Sequence, residues 1–495
     1  MNYVGIDLGT SSVKLILTDE KGHILNTVSR EYPLYFPKEG WSEQNPYDWD
    51  IEVLRGLEEL LKNKSERDKL AGISFGGQMH GLVMLDEKDE VIRPAILWND
   101  GRSVKECEYL NNVIGKDKLS EYTANIAFAG FTAPKLLWVR ENEPENFARI
   151  AKIMLPKDYI AYRLSGEFAT DVSDASGTLY FDVKNRCWSD EMCAICGIDK
   201  TVLPRIYESY EVIGTLLPDI AAKLDISSEC KIIAGAGDNA AAAIGTGTVD
   251  TGCMNISLGT SGTIFIADNN FNVDRYNALH SFAHANGKYH LMGCMLSAAS
   301  CNKWWNENIL QTKDYAGEEQ NIAKLGDNHV YFLPYLMGER SPINDPFARG
   351  TFTGITMDTT RADMGLAVLE GVTFALRDSL EVARELGISP VRTKLCGGGA
   401  KSKLWRQLIA AILNLEVEIP EAEEGPAMGA AMLAMVGCGE YKNVSEAAGE
   451  IVKVKDVIIP DKGLVDKYNA RYEVFKQIYP ECKALFAGLA NAAGK

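Results

Sequence analysis

The stretch that decides the fold is Val4-Gly-Ile-Asp7-Leu-Gly9-Thr10-Ser11-Ser12-Val-Lys14, near the start of the chain. It reads as a short apolar strand, a Gly-Thr-Ser turn and a second strand from Val13 to Thr18. The second half of the chain repeats the pattern in Met254-Asn-Ile-Ser257-Leu-Gly259-Thr260-Ser261-Gly-Thr263. Glycine lets a turn approach a ligand closely, and successive backbone amides form a concave anion site. Two copies predict a duplicated domain that binds one polyphosphate.

Composition narrows the class of protein. A chain of 495 residues is too long for one core, so we expect two or more domains. The net charge of −17, from 68 acidic and 51 basic residues, disfavours binding to nucleic acid or to anionic membranes. The 11 cysteines show no disulfide rhythm, which is typical of a reducing compartment. We therefore predict a cytoplasmic protein with a small-molecule ligand, no nucleic-acid partner and no membrane partner.

Strand-like and helix-like segments alternate, which predicts an α/β fold. Apolar stretches run into polar turns at Gly76-Gly-Gln78-Met79-His80-Gly81 and at Gly235-Ala-Gly237-Asp238-Asn239, and open α/β sheets bind ligands at such strand ends. Later in the chain, leucines at helical spacing predict a helix from Asp363, which can cap its start, to Leu386, with Gly387 as the residue that ends it. Gly397-Gly398-Gly399-Ala400 then separates a strand from a helix capped by Ser402. We place the domain boundary near Gly245, giving domains 1–245 and 246–495.

Two common nucleotide-binding motifs are excluded. The chain contains no G-x-x-x-x-G-K-[ST] sequence, so it has no P-loop. The segment Gly235-Ala-Gly237-Asp-Asn-Ala240 matches a relaxed dinucleotide fingerprint, but Ser257 stands where the partner acid is expected. The predicted phosphate-binding turns therefore belong to another type of nucleotide-binding motif.

The motif Asp7-x-Gly9-Thr10-Ser11, its second copy and the triple-glycine turn together resemble the actin, hexokinase and heat-shock-chaperone ATPase superfamily. Within it, the segments at 130–142 and 350–370 resemble the two signatures of the FGGY family of carbohydrate kinases. Four further segments resemble the pentulose kinases of that family: 41–44, 76–81, 98–102 and 155–159. The resemblance spans nearly the whole chain, to at least a turn at Gly425-Pro-Ala-Met-Gly429.

This resemblance implies two duplicated ribonuclease H-like domains with a central cleft, the first binding sugar and the second nucleotide. ATP would be the phosphoryl donor and Mg²⁺ its partner, with Asp7 holding the metal through water. The phosphates would lie against Thr10, Ser11, Ser12, Gly259, Thr260 and Ser261. The adenosine would lie beside Gly398, Gly399 and Ala400.

For the sugar, the resemblance implies that Asp238 is the general base and that Met79 and His80 contact a ketose. Gln78, Asp100 and Asn239 are further candidates for sugar contacts. Asp238 begins an Ala-rich helix, so a helix N-cap is its competing structural role.

Two alternatives remain open. One is a kinase of another ketose or polyol, such as ribulose. The other is a nucleotide-switched binding protein of the chaperone or actin type, which would need a separate binding module. The oligomeric state also stays open, a homodimer included.

Overall fold

The computed structural model describes residues 1–323, 325–421 and 425–492. It forms two compact units, which confirms the predicted two-domain α/β fold. The first unit comprises Met1–Val249, Ser281–His290 and Glu424–Val452, and the second comprises Asp250–His280, Leu291–Glu423 and Lys453–Lys495. Two segments of the second half of the sequence thus belong to the first unit, which a single boundary near Gly245 does not describe.

Each unit is built on a twisted mixed sheet, and we label the strands of the two sheets in chain order. The first sheet contains β1 (Asn2–Leu8), β2 (Ser12–Asp19), β3 (Ile24–Glu31), β4 (Leu70–Gly77), β5 (Val212–Thr215), β6 (Lys231–Ile233) and β7 (Ala236–Gly237). The main strands of the second are β8 (Cys253–Leu258), β9 (Gly262–Asp268), β10 (Arg392–Cys396), β11 (Glu416–Pro420) and β12 (Val454–Ile458).

The two sheets repeat one arrangement. In the first, the order is β5-β6-β4-β1-β2-β3, and β1 pairs antiparallel with β2 and parallel with β4. In the second, β8 pairs antiparallel with β9 and parallel with β10, followed by β11 and β12. Each Gly-Thr-Ser turn joins the two antiparallel strands at the centre of its sheet. The duplicated hairpin read from the sequence is therefore present in both units.

The other elements are mostly short. The remaining strands are Glu43–Gln44, Val83–Leu85, Ala95–Ile96, Lys152–Met154, Ala169–Asp171, Phe181–Asp182, Cys187–Trp188, Arg205–Tyr207, His280–Ala283, Tyr289–Met295, Tyr331–Leu333 and Thr351–Thr353. The α-helices are Pro46–Leu60, Lys64–Arg67, Val104–Tyr109, Lys116–Thr123, Thr132–Asn142, Pro144–Phe147, Pro156–Ser165, Val172–Ala175, Asp190–Cys196, Pro218–Leu224, Asp238–Gly245, Ala299–Lys303, Tyr315–Gln320, Arg361–Glu385, Lys403–Leu413, Gly425–Cys438, Val444–Ile451 and Lys462–Ala492. Within the described ranges, none of these helices is both long and apolar enough to span a bilayer.

The predicted helix of the second unit forms, with a different cap. It runs from Arg361 to Glu385, and Thr360 is the N-cap. Asp363 occupies the third helical position, where its carboxylate accepts from the Thr360 backbone N–H and completes a reciprocal capping box. Gly387 follows the last turn at φ +81°, so the predicted end of the helix is confirmed.

The glycines near Gly425 do not form a turn, and that prediction is wrong. They lie in the first turns of helix Gly425–Cys438, which packs against β1 and helix Asp238–Gly245. A Cβ placed at Gly429 would lie 1.9 Å from the Ala241 carbonyl oxygen. Glycine is needed there because two helix backbones touch, and sequence alone does not separate this reason from a turn.

Candidate active site

Three strands of the first unit end side by side and bring the predicted site residues together. Leu8 pairs with Gly77 between β1 and β4, and Gly237 pairs with Gly77 between β7 and β4. The residue that follows each of these strand ends is Gly9, Gln78 or Asp238. The predicted phosphate turn (residues 9–12), the predicted sugar turn (residues 78–81) and the candidate base thus start from one edge of the sheet, as open α/β sheets favour. These two turns are called the phosphate turn and the sugar turn below.

The turn at Gly9 and Thr10 is held by side chains that are distant in sequence. The Tyr32 hydroxyl and Gln78 Nε2, the latter at 3.4 Å, both donate to the Gly9 carbonyl oxygen. Gln44 Nε2 donates to the Thr10 carbonyl oxygen at 2.6 Å. The side chain of Gln78 therefore lies against the phosphate turn. The sequence had assigned it to the sugar and had missed Tyr32 and Gln44.

Asp100 is engaged in an internal ion pair. Its carboxylate accepts from Arg102 Nη2 at 2.7 Å, from Arg102 Nε at 2.8 Å and from the backbone N–H groups of Arg102 and Ser42. Both side chains of the pair are fully buried. A carboxylate has about four lone-pair sites, and here four donors occupy them. This arrangement argues against Asp100 as a sugar contact.

Asp7 lies on β1, two residues before the turn, and is partly exposed. Burial, together with the negative charge of Asp7, raises the pKa of Tyr32 well above its usual range, so Tyr32 stays protonated and donates. No group of three or more metal-ligating side chains occurs in the described part of the chain. Mg²⁺ is usually held by one or two carboxylates plus waters and substrate phosphates, so a single aspartate beside a phosphate turn fits that ion.

His80 is held in an unusual backbone conformation at the start of the sugar turn. Its φ is +70°, which is uncommon for a residue other than glycine. The buried Lys135 Nζ at 2.8 Å and the Thr132 hydroxyl at 3.2 Å both donate to its carbonyl oxygen. Its Nδ1 lies 2.8 Å from the Gly177 carbonyl oxygen, and because a carbonyl can only accept, Nδ1 carries the proton. Lys135 and Thr132 belong to the first signature segment, which here supports the sugar turn.

Met79 packs directly against the residue that precedes Asp238. A Cβ on Gly237 would lie 2.9 Å from Met79 Cγ and 3.0 Å from its sulfur. A Cβ on Gly177 would likewise lie 2.4 Å from the His80 ring. Gly237 therefore lets Met79 lie close to the peptide that precedes Asp238, and Gly177 leaves room for the His80 ring.

Asp238 is the first residue of its helix, and Gly237 is the N-cap, so the competing role of N-cap is wrong for Asp238. The half-buried carboxylate accepts from the Asn239 backbone N–H at 2.7 Å and from Asn239 Nδ2 at 2.8 Å, both through Oδ1. Burial raises its pKa to about 6, and the two hydrogen bonds from Asn239 partly oppose that rise. Asn239, predicted to contact sugar, thus orients the carboxylate in this structure.

Behind Asp238 lies a buried charged network. The Ser173 hydroxyl accepts from the Gly237 N–H at 3.2 Å and donates to Asp171 at 2.6 Å. Lys157 Nζ contacts Asp171 at 2.9 Å and Asp158 at 2.6 Å. Burial alone would lower the Lys157 pKa, but the charges of the surrounding carboxylates outweigh it and raise that pKa well above its usual range. Lys157 therefore remains charged and fixes the acids that hold the peptide before Asp238.

The second unit contains a pocket of about 970 Å³. Its lining includes Gly259 and Thr260 from the second turn and Gly398 and Gly399 from the triple-glycine segment, four of the residues predicted to bind nucleotide. Ser261 and Ala400 are not among the lining residues. The volume lies at the upper end of the range for small-molecule sites.

The triple-glycine segment explains how this pocket is shaped. Gly397 has φ +88°, and a Cβ on Gly399 would lie 2.9 Å from Leu258 and 3.0 Å from Trp405. Ser402 caps the next helix by accepting from the Trp405 N–H, as predicted, and also donates to Glu319 at 2.8 Å. Glu319 lies in a short helix without a sequence motif, so the sequence did not indicate that this helix forms part of the pocket wall.

The second turn is held mainly by backbone groups. The Ala299 N–H donates to the Gly259 carbonyl oxygen at 2.9 Å, and the Ala298 N–H donates to the Thr260 carbonyl oxygen at 3.0 Å. The Ser300 hydroxyl also donates to Thr260 at 2.7 Å. In both turns, the carbonyl groups of the glycine and of the threonine therefore accept hydrogen bonds, but from different partners.

Comparisons with known proteins agree with this geometry. Residues 2–245 match the N-terminal domain of the FGGY family of carbohydrate kinases, and residues 254–438 match its C-terminal domain. A xylulose kinase of Escherichia coli K12 is 41% identical over 98% of this chain and all of its own length. A xylulose kinase of Bacillus subtilis 168 is 39% identical over 99% of each chain.

A solved structure extends this likeness to three dimensions. A crystal structure of a "xyloylose kinase" from Brucella ovis superimposes with a TM-score of 0.93, at 38% identity, covering 98% of this chain and all of that one. The family match covers both units, and the full-length relatives exceed a third identity. The chain therefore belongs to the FGGY family of carbohydrate kinases.

Proposed function

We propose that this protein transfers the γ-phosphoryl group of ATP to the C5 hydroxyl of D-xylulose, giving ADP and D-xylulose 5-phosphate. The observation that carries the proposal is the meeting of Met79, His80 and Asp238 at one sheet edge, two of them packed against glycines. The full-length xylulose kinases at about 40% identity support this choice of sugar.

Asp238 is the general base of this proposal. With a pKa of about 6, its carboxylate is mostly ionised at neutral pH and still has appreciable affinity for a proton. Both hydrogen bonds from Asn239 fall on Oδ1, so Oδ2 is the oxygen that takes the proton of the sugar hydroxyl. The oxygen of that hydroxyl then attacks the γ-phosphorus in line with the departing ADP.

His80 and Met79 select the sugar. Because Nδ1 of His80 donates to Gly177, Nε2 would be the ring nitrogen that accepts from a sugar hydroxyl. Met79 supplies an apolar wall beside Gly237. A site built to pair with a hydroxyl rejects analogues that lack it, because its own polar group is then left unpaired.

The two turns bind the phosphates in this scheme, and the pocket of the second unit takes the adenosine. Thr10, Ser11 and Ser12 from one turn, and Gly259, Thr260 and Ser261 from the other, supply amides and hydroxyls. Asp7 would hold Mg²⁺ through water, and a bound Mg²⁺ would neutralise charge on the phosphates.

The test is a coupled assay of ADP release with D-xylulose, D-ribulose, L-ribulose and glycerol. D-xylulose should give the highest kcat/KM, and the Asp238→Asn variant, purified identically, controls for contaminating kinases. A clear preference for another member of the panel would refute the choice of sugar and leave the family assignment intact.

A further inference from the structure

We propose that Tyr32, Gln44 and Gln78 are positioning residues that aim the backbone amides of Thr10 and Ser11 at the phosphates of ATP. This inference rests on the proposed phosphate role of the first turn. It assigns a role to the 41–44 segment, which the proposed mechanism leaves without one. It also moves Gln78 from the sugar to the nucleotide.

The geometry of the peptide bond carries the argument. In a trans peptide the carbonyl C=O and the N–H of the next residue point in opposite directions. Tyr32 and Gln78 hold the Gly9 carbonyl on one side of the turn, so the Thr10 N–H points to the other. Gln44 holds the Thr10 carbonyl in the same way, so the Ser11 N–H is turned away from Gln44. Fixing two carbonyls therefore fixes two successive donors, which is the arrangement of an anion-binding nest.

The three side chains form one network whose members constrain each other. Gln78 Nε2 donates to Gln44 Oε1 at 2.9 Å, and the indole of the fully buried Trp49 donates to the same oxygen at 3.2 Å. Because Oε1 of Gln44 accepts these two bonds, its Nε2 must face the Thr10 carbonyl. Gln44 and Gln78 are each 1% exposed, so water competes little for these bonds. The amide orientations are thus set by neighbouring groups.

The second turn provides an independent observation of the same device. There the Gly259 and Thr260 carbonyls are also engaged, by the N–H groups of Ala299 and Ala298. The amides of Thr260 and Ser261 are directed by the same rule. Two turns with different supports engage the same two carbonyls, which indicates that the support serves the amides and is more than local packing.

The experiment compares Tyr32→Phe and Gln78→Met with Tyr441→Phe as a matched control. The Tyr441 hydroxyl also donates to a backbone carbonyl, that of Glu20, at 2.7 Å. Glu20 follows β2 and lies at the opposite end of the hairpin from the Gly-Thr-Ser turn. Calorimetry on the full-length protein gives Kd for ATP and for adenosine, and kinetics give KM for ATP and for sugar. A thermal melt on each variant shows whether it remains folded.

Tyr32→Phe should weaken ATP binding roughly three- to tenfold, the scale of one lost hydrogen bond, and leave adenosine affinity unchanged. Gln78→Met should raise KM for ATP by a similar factor with sugar KM within about twofold, and Tyr441→Phe should change neither. Equal ATP affinity in Tyr32→Phe and Tyr441→Phe would overturn the inference, as would equal losses for ATP and adenosine. A rise in sugar KM alone for Gln78→Met would return that residue to the sugar site.

The outcomes separate this inference from the proposed function. If the wild-type protein binds ATP but does not phosphorylate D-xylulose, the choice of sugar is wrong, and the binding data still decide the roles of Tyr32 and Gln78. If the wild-type protein binds no ATP, both proposals are refuted.

Discussion

The two Gly-Thr-Ser turns have nearly the same sequence and very different surroundings. The first is held by a tyrosine hydroxyl and two glutamine amides, and it lies one strand away from the sugar turn. The second is held mainly by backbone N–H groups at the start of helix Ala299–Lys303, with the Ser300 hydroxyl as a further donor, and it lines a pocket. One local motif has therefore been stabilised by two unrelated means.

The strand before each turn differs in one informative position. Asp7 of the first hairpin corresponds to Ser257 of the second when the two glycines are aligned. The first turn thus stands beside a carboxylate and close to Asp238, whereas the second has a hydroxyl there. Both units keep the same turn backbone, and the ionisable groups of the proposed mechanism, Asp7 and Asp238, both belong to the first unit.

The strongest test of this difference between the two units is the Asp238→Asn variant. The amide keeps the size of the carboxylate and can still accept from Asn239, but it cannot take a proton. We expect kcat to fall by about 10²–10⁴-fold while the Kd for sugar stays within a few-fold. Stopped assays with D-xylulose and calorimetry measure the two quantities. Near-normal turnover, or recovery of turnover by excess Mg²⁺, would show that the base lies elsewhere.

A smaller effect is expected from Asp7→Asn, compared with Ser257→Ala at the equivalent position. If Asp7 holds the metal, the Mg²⁺ concentration for half-maximal rate should rise by about tenfold or more, and added Mg²⁺ should restore part of the activity. Ser257→Ala should leave that concentration within about twofold. Titration of the rate with Mg²⁺ measures both, and equal responses would mean that the hairpins do not differ in metal binding.

Protonation of Asp238 gives a milder, reversible version of the first test. Its pKa is raised from 3.8 to about 6 by burial, so the reactive carboxylate is lost as the pH falls through that value. The kcat/KM should therefore be flat just above neutrality and about tenfold lower at pH 5. Thermal melts at each pH must show a folded protein. A profile that stays flat to pH 5 would contradict the assignment of Asp238 as base.

The sequence was sufficient for features that depend on local pattern. The two hairpins were predicted from the apolar residues before each Gly-Thr-Ser turn. The helix after Thr360 was predicted from its periodic leucines and from Gly387 at its end. Three positions whose contacts the sequence did not indicate share another cause. Asp100, Gln78 and the glycines near Gly425 depend on partners that are distant in the sequence or on backbone contact, namely Ser42, Gly9 and the helix containing Ala241. Contacts of this kind produce no pattern of residue spacing in the sequence.

The smallest expected effect is that of Ser300→Ala in the second turn. The Thr260 carbonyl loses the Ser300 hydroxyl but keeps the Ala298 N–H at 3.0 Å, so its direction should hold. We expect KM for ATP to change by less than about threefold, because a carbonyl that retains one good donor is not left unsatisfied. Tyr32→Phe, which leaves Gly9 with only the 3.4 Å contact from Gln78, should have the larger effect in the same assay. If Ser300→Ala proved the more damaging, side chains would support both turns alike, and the contrast between the two units would be refuted.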